Sequence, residues 1–158
     1  MKKLTFIFLA ACLAAATVVL VYPRKPSVLQ LRLVLQNATP ETEEMGHQNS
    51  KTGEIEVLHV LKRAAIDLAM IRSAGVAKVN EIPGAYVEIK LTEQGRQRFA
   101  EITRNNIGKR LAIIVDGKLI EAPKILEELS DGRFWIAGNF TYTEAAHLAD
   151  LISRGLKR

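Results

Sequence analysis

Few residues in this chain have the type and spacing that chemistry requires. The histidines, His47, His59 and His147, share no short ligand spacing with one another or with cysteine, so a zinc site has no support and solvated or structural histidines are expected. Ser27, Ser50, Ser73, Ser130 and Ser153 stand in no nucleophile-elbow context, and the glycines are scattered at turns without forming a phosphate loop. Glu127 and Glu128 are adjacent; on an expected strand they point to opposite faces and could not share a substrate. No catalytic residue, cofactor, metal or small-molecule substrate is implied, and the chain is not expected to be an enzyme.

Two other groupings concern binding. Arg96, Arg98, Arg104, Lys109 and Arg110 resemble a basic patch, but the helical period spreads the first three around an exposed arc beside Glu93 and Glu101. A solvated, ion-paired face is the expectation. Phe134 and Trp135 are neighbours on an expected strand, so only one of the two rings can enter the core of a one-sided sheet. Either both are covered, one by the core and one by a loop, or the outward ring belongs to an apolar contact surface for a polypeptide.

The elements that position these residues follow from periodicity and punctuation. Residues 28–36 alternate apolar and polar, as does 54–61, and both read as strands. Between them, 37–52 carries almost no large apolar residue and reads as a polar excursion. One or two helical turns are expected over 66–73, ended by Gly75, followed by strands at 76–80 and 85–91 joined as a hairpin through Pro83-Gly84. Thr92 caps a helix from about Glu93 to Ile107, stopped by Gly108. Asp116-Gly117 links strands 111–115 and 118–120 in a type I′ turn, which needs two residues that accept φ > 0. Pro123 interrupts pairing, and 125–129 is expected to form a hairpin with 133–137 through Ser130-Asp131-Gly132. Thr141 and Glu144 make a capping box, opening a helix with Ala145, Leu148, Ala149, Leu151 and Ile152 on one face and ending near Gly155. The fold class is therefore α+β: an antiparallel sheet built from hairpins, with two amphipathic helices packed on one face.

Ahead of this domain, expected over 28–158, residues 1–27 form a leader and short linker. Residues 4–22 are apolar or small throughout, and at about 1.5 Å per residue they just cross a hydrocarbon core of roughly 30 Å. The first expectation is an uncleaved signal anchor; a cleaved signal peptide or a lipoprotein acylated on Cys12, within Leu9-Ala10-Ala11-Cys12, is the alternative. Lys2, Lys3, Arg24 and Lys25 flank the run, so the positive-inside rule does not decide orientation. They also account for most of the formal charge of +5; the rest of the chain is close to neutral, which argues against nucleic acid as a partner.

From Val87 onward the order of residues is specific. The strand into Leu91-Thr92, Gly95 and Phe99 in the helix, the Asn106-Ile107-Gly108-Lys109-Arg110-Leu111-Ala112 junction, the Asp116-Gly117-Lys118 hairpin and the Ala122-Pro123 exit resemble the SecD protein-export family, in the head of its large periplasmic domain. Ile136-Ala137-Gly138-Asn139-Phe140-Thr141 and the closing helix to Arg154-Gly155 are similar to the same family, and Leu29-Gln30-Leu31-Arg32-Leu33-Val34 is similar to an earlier strand of it. The resemblance implies a head that holds or guides an emerging preprotein on the outer side of the cytoplasmic membrane, beside a membrane part that uses the proton gradient. It places the soluble domain on the extracytoplasmic side. With the chain ending at Arg158, an autonomous proton-driven activity is not expected.

The resulting expectation is a non-catalytic module, single-pass in the inner membrane through residues 4–22. Its partners are exported polypeptide or Sec translocon components; the alternative is an envelope interaction protein that reuses the head scaffold for an unrelated partner. The contact residues expected are Lys124 and Glu127, on a sheet edge at 124–129 open to β-augmentation, with Phe134 and Trp135 supplying apolar surface.

Overall fold

The computed structural model describes residues 28–48, 53–77 and 84–157. The expected leader, with Cys12 and the apolar run of 4–22, lies outside them; among the described residues no helix is long and apolar enough to cross a membrane. Eight strands and two helices follow in the order β1 (Leu29–Leu35), β2 (Thr42–Gln48), β3 (Ile55–Leu61), β4 (Ile71–Ala77), β5 (Ala85–Leu91), α1 (Glu93–Asn105), β6 (Arg110–Val115), β7 (Lys118–Glu121), β8 (Arg133–Phe140) and α2 (Tyr142–Leu156).

All ladders are antiparallel, but they form two sheets where one was expected: five strands in the order β2-β3-β1-β6-β7, and three in the order β4-β5-β8. The reason is that strand β6 buries consecutive residues, Leu111 to Val115, and so needs apolar cover on both faces. On one face Leu29, Leu31, Leu111, Ile113 and Val115 meet the main core, to which the smaller sheet adds Val87, Ile89 and Ile136 and the helices add Phe99, Ile102, Ala145 and Ile152. On the other face Val34, Leu58, Val60, Ala112, Ile114 and Ala122 make a second cluster. The five-stranded sheet curls around it until its outer strands β2 and β7 touch. Helix α2 packs on β4 and β5, and α1 contacts β5 and a short 3-10 turn at Leu68–Met70.

Both helices start where local chemistry predicts. Thr92 Oγ1 accepts from the Gly95 amide at 3.1 Å, and Thr141 and Glu144 form the full reciprocal capping box. Asp116 and Gly117 both have positive φ, 49° and 77°, as a type I′ turn requires.

Three expectations are corrected. The polar stretch 37–52 contains β2, which pairs with β3 along its full length from Thr42↔Leu61 to Gln48↔Ile55. A polar strand is stable there because the ladder satisfies its backbone, while the half-buried Met45 packs on the second cluster and the buried Thr42 hydroxyl bonds to the Thr39 backbone. Over 66–73 there is only the 3-10 turn, and strand β4 starts at Ile71, with Gly75 inside it rather than ending a helix. Strand β4 does pair with β5, the hairpin partner expected for 76–80. The hairpin of 125–129 with 133–137 does not form: 125–129 is not a strand, and β8 pairs with β5, matching Phe134 to Ile89 and Ile136 to Val87.

Candidate binding groove

Along β8 the pleat sends alternate residues to opposite faces. Phe134 (7% exposed) and Ile136 are in the core, with the Phe134 ring 5.4 Å from that of Phe99, while Trp135 points outward and is 46% exposed. The outward ring of the pair is therefore Trp135, and no loop covers it completely. Arg133, two positions earlier on the same face, holds its guanidinium 5.9 Å from the Trp135 ring centre and pairs with Asp131 at 3.1 Å.

The facing wall is the segment 123–129, irregular in backbone but tied down at each end. Leu111 N–H donates to Pro123 O at 2.9 Å, and Ile125 exchanges bonds with the junction after α1, its N–H going to Lys109 O and its carbonyl accepting from Gly108 N–H, each at 2.8 Å. At the far end Thr103, fully buried in α1, donates its hydroxyl to Phe99 O at 2.8 Å and accepts from Leu129 N–H at 2.9 Å. Anchored this way, the segment turns Ile125 inward and leaves Leu126 77% exposed and Leu129 partly so.

Between this wall and β8 lies a largely apolar groove of about 330 Å³. Lys124, Glu127, Phe134 and Trp135, expected to share a surface, all line it. Their roles differ from the sequence expectation in one respect. Residues 124–129 are not a sheet edge, apart from an isolated bridge between Lys124 and Arg110; the edge strand at the groove is β8 itself, which among the described residues has a ladder partner only in β5. Thr103 was not anticipated as part of a site, and Leu126 and Leu129 were anticipated only through the backbone of 124–129, not for their side chains. Leu126 and Leu129 carried the available signal, two large apolar residues in an otherwise charged stretch, but it was absorbed into the strand assignment.

The remaining charged groups are largely spoken for. Arg96 is held by Glu93, Arg98 by Glu101 at 2.7 Å, Arg104 lies 3.7 Å from Glu128, and Arg110 binds Glu56 at 2.7 Å, so the basic run is a paired face. Its hydrogen bond from Arg96, and a second from Gln97, hold the Glu93 carboxyl below the usual range. His47 and His59 stand opposite Glu56 and Glu44 in the β2–β3 ladder, three positions apart and therefore on opposite faces.

Glu121, at the end of β7, is the exception. Burial raises its pKa above the ordinary value, opposed by the hydrogen bond it accepts from Ala137 N–H of β8 at 3.2 Å, a link between the two sheets. A carboxyl that binds its proton more tightly when folded contributes stability at pH below its unfolded pKa and loses it as pH rises through the folded value. Glu121→Gln keeps an acceptor for Ala137 but cannot ionise. The variant is expected to melt above the parent at pH 7, with the difference shrinking as pH falls through the carboxylate range; thermal scans from pH 4 to 8 check this.

Comparison with known proteins places this architecture. The sequence of residues 42–156 matches the family described as SecDF, P1 head subdomain. The protein translocase subunit SecD of Rickettsia conorii is 35% identical over 141 residues, covering 83% of this chain and 27% of that protein; SecD of Sebaldella termitidis is 40% identical over 90 residues, covering 57% and 22%. The chain thus spans about a quarter of the length of these relatives. Among solved structures, SecDF in its super-membrane-facing form superposes with a TM-score of 0.64 at 26% identity, covering 82% of this chain and 19% of that one. A second, described as a membrane component SecDF that enhances protein export, gives 0.61 at 24% identity, covering 82% and 62%. With its two antiparallel sheets, its two helices and this match over most of its length, the chain belongs to the SecDF P1 head subdomain family.

Proposed function

We propose that this chain is a non-catalytic, extracytoplasmic binding module, accessory to Sec-dependent protein translocation, that takes extended polypeptide in the groove beside β8. The domain of 28–158 is tethered to the inner membrane through residues 4–22. The observation that carries the reading is the juxtaposition at β8: a strand edge with no ladder partner among the described residues, bonded only at Ala137 by Glu121, an exposed Trp135 and the exposed Leu126 lie at one apolar groove. An edge strand offers backbone hydrogen bonds to any sequence, and apolar rims hold alternate side chains without reading them closely. That combination suits a partner whose sequence varies, as exported chains do. Membership of a family whose relatives are translocase subunits, one of them described as enhancing protein export, supports the same direction. Lys124 and Glu127 are the polar rim of the groove, and Phe134, packed against Phe99, anchors β8 in the core.

In-cell photocrosslinking from position 135, with fractionation of the tagged protein, tests this. Crosslinks in the membrane fraction to Sec subunits or to exported chains are expected. Crosslinks to one unrelated envelope protein alone would mean that the scaffold serves a different partner. Trp135→Ala, with a photoreactive residue at 126 instead, is expected to lower the crosslinking yield several-fold, because central aromatic anchors typically contribute about 2 kcal/mol or more to binding. Far-UV circular dichroism should be nearly unchanged, since the side chain is 46% exposed and is not one of the buried residues of the core cluster.

A further inference from the structure

The groove does not end at Trp135. Asp131 and Arg133 line it and also a second cavity of about 300 Å³, whose walls carry Arg72, Lys90, Arg96 and Glu93. Three of these cations come from three adjacent strands at one level of the small sheet. Lys90 stands directly opposite Arg133 in the β5–β8 ladder, and opposite Ser73, next to Arg72, in the β4–β5 ladder. Like charges set directly opposite across strands work against the sheet unless anions offset them. The local anions fall short by one: Glu93 holds Arg96, Asp131 holds Arg133, and Glu88 lies 3.4 Å from Lys90, while Arg72 makes no ion pair within 4 Å among the described residues and interacts only at longer range with Glu93, which Arg96 already holds. The Lys90 and Arg133 pairs are half-exposed, so their cations can exchange partners at little cost.

We infer that the groove and the basic cavity form one track, and that it favours polypeptide segments in which an apolar residue is followed two positions later by an acidic one. The inference rests on the polypeptide reading of the groove. Its spacing comes from β8. Trp135 and Arg133 are two residues apart on one face, and every ladder in the fold is antiparallel. A segment adding antiparallel to β8 that seats an apolar side chain on Trp135 therefore brings its residue two positions further on to Arg133, on the same face, with Arg72 and Lys90 beyond. A carboxylate there adds an anion to a cluster in which Arg72 has no close ion pair of its own.

Trp135 is the only tryptophan, so its emission reports occupancy of the groove directly. The full-length chain in detergent would be titrated with three nine-residue peptides of identical alternating apolar sequence that carry Asp, Asn or Lys two positions after the central Leu. The Asp peptide is expected to bind about fivefold tighter than the Asn peptide at low salt, the range of one solvent-accessible ion pair, with Lys weakest. In 0.5 M salt the spread should contract, and in Arg72→Gln/Lys90→Gln the Asp advantage should fall to less than twofold, Arg133 being shared with Asp131, while Asn-peptide affinity stays the same. Equal affinities for all three peptides in the parent would overturn the inference and leave the groove reading standing; no emission change with any peptide would overturn the groove reading itself. If phosphatidylglycerol vesicles, rather than the Asp peptide, gave the Arg72-dependent response, the cavity would be a lipid headgroup site and the inference would likewise fall.

Discussion

Gly95→Ala is expected to destabilise the domain by about 2 kcal/mol, although in an exposed helix the same change stabilises by about 1 kcal/mol. Gly95 lies in the first turn of α1, pressed against the backbone at Met70. A Cβ built on it falls well inside contact distance of the Met70 carbonyl oxygen, 3.0 Å from that residue's Cβ and 3.2 Å from its carbonyl carbon. Neither side yields easily. The Met70 carbonyl accepts from Thr92 N–H at 2.9 Å and from Thr92 Oγ1 at 3.3 Å, so pushing it away breaks the contact that seats the start of α1. Thermal unfolding followed by Trp135 emission should show a midpoint lower by about 5–10 °C for a domain of this size. Gly75→Ala, where an added methyl meets nothing within 4 Å, is the control and should leave the midpoint nearly unchanged.

Thr103→Val should cost about 1–3 kcal/mol despite preserving side-chain shape, because it leaves a donor in a part-buried position without its acceptor. Thr103 is wholly inaccessible, and its hydroxyl is the acceptor for Leu129 N–H. The hydroxyl's own donated bond, to Phe99 O one turn back, is dispensable, since that carbonyl keeps its place in the helix. The loss is therefore local to the groove wall. Amide exchange at Leu129 should accelerate more than at core positions of β5 or β6, and Trp135 emission should shift as the wall loosens. Thr103→Ser, which keeps the oxygen, should restore slow exchange at Leu129. Uniform acceleration throughout the domain would mean that Thr103 supports the core generally and does not fasten the wall.

The two variants mark the joints on which the groove depends. Gly95 sets how closely α1 approaches the 3-10 turn, and α1 carries Thr103, which fastens the wall of 123–129. Polypeptide binding is expected to weaken in both variants, in Gly95→Ala because the fold is less populated and in Thr103→Val while the fold persists.

What was legible in advance were features decided within a few residues of themselves. The capping box at Thr141 and Glu144, the Thr92 cap, the Asp116-Gly117 turn and the inward-outward alternation of Phe134 and Trp135 all have causes that lie within one turn or one strand. The family resemblance extended this reading to the domain as a whole, because an ordered set of such local features is itself specific.

Strand partnership was not legible in the same way. Residues 125–129 are near β8 in the chain and carry apolar residues, which made a hairpin reasonable, yet Ile125 is committed to the α1 junction and Phe134 and Ile136 find matching buried faces on β5, more than forty residues earlier. Strand β2 was missed for the opposite reason: a polar strand held by its backbone ladder gives no hydrophobic pattern to read. By itself, the sequence determined where the two helices begin, where the chain turns and that the two neighbouring aromatics face opposite ways, because those depend on local backbone and side-chain chemistry. Only the tertiary structure decided that there are two sheets, that β8 is the outer strand of the smaller one and that Leu126 and Trp135 border one groove, because these depend on which distant apolar faces bury each other best.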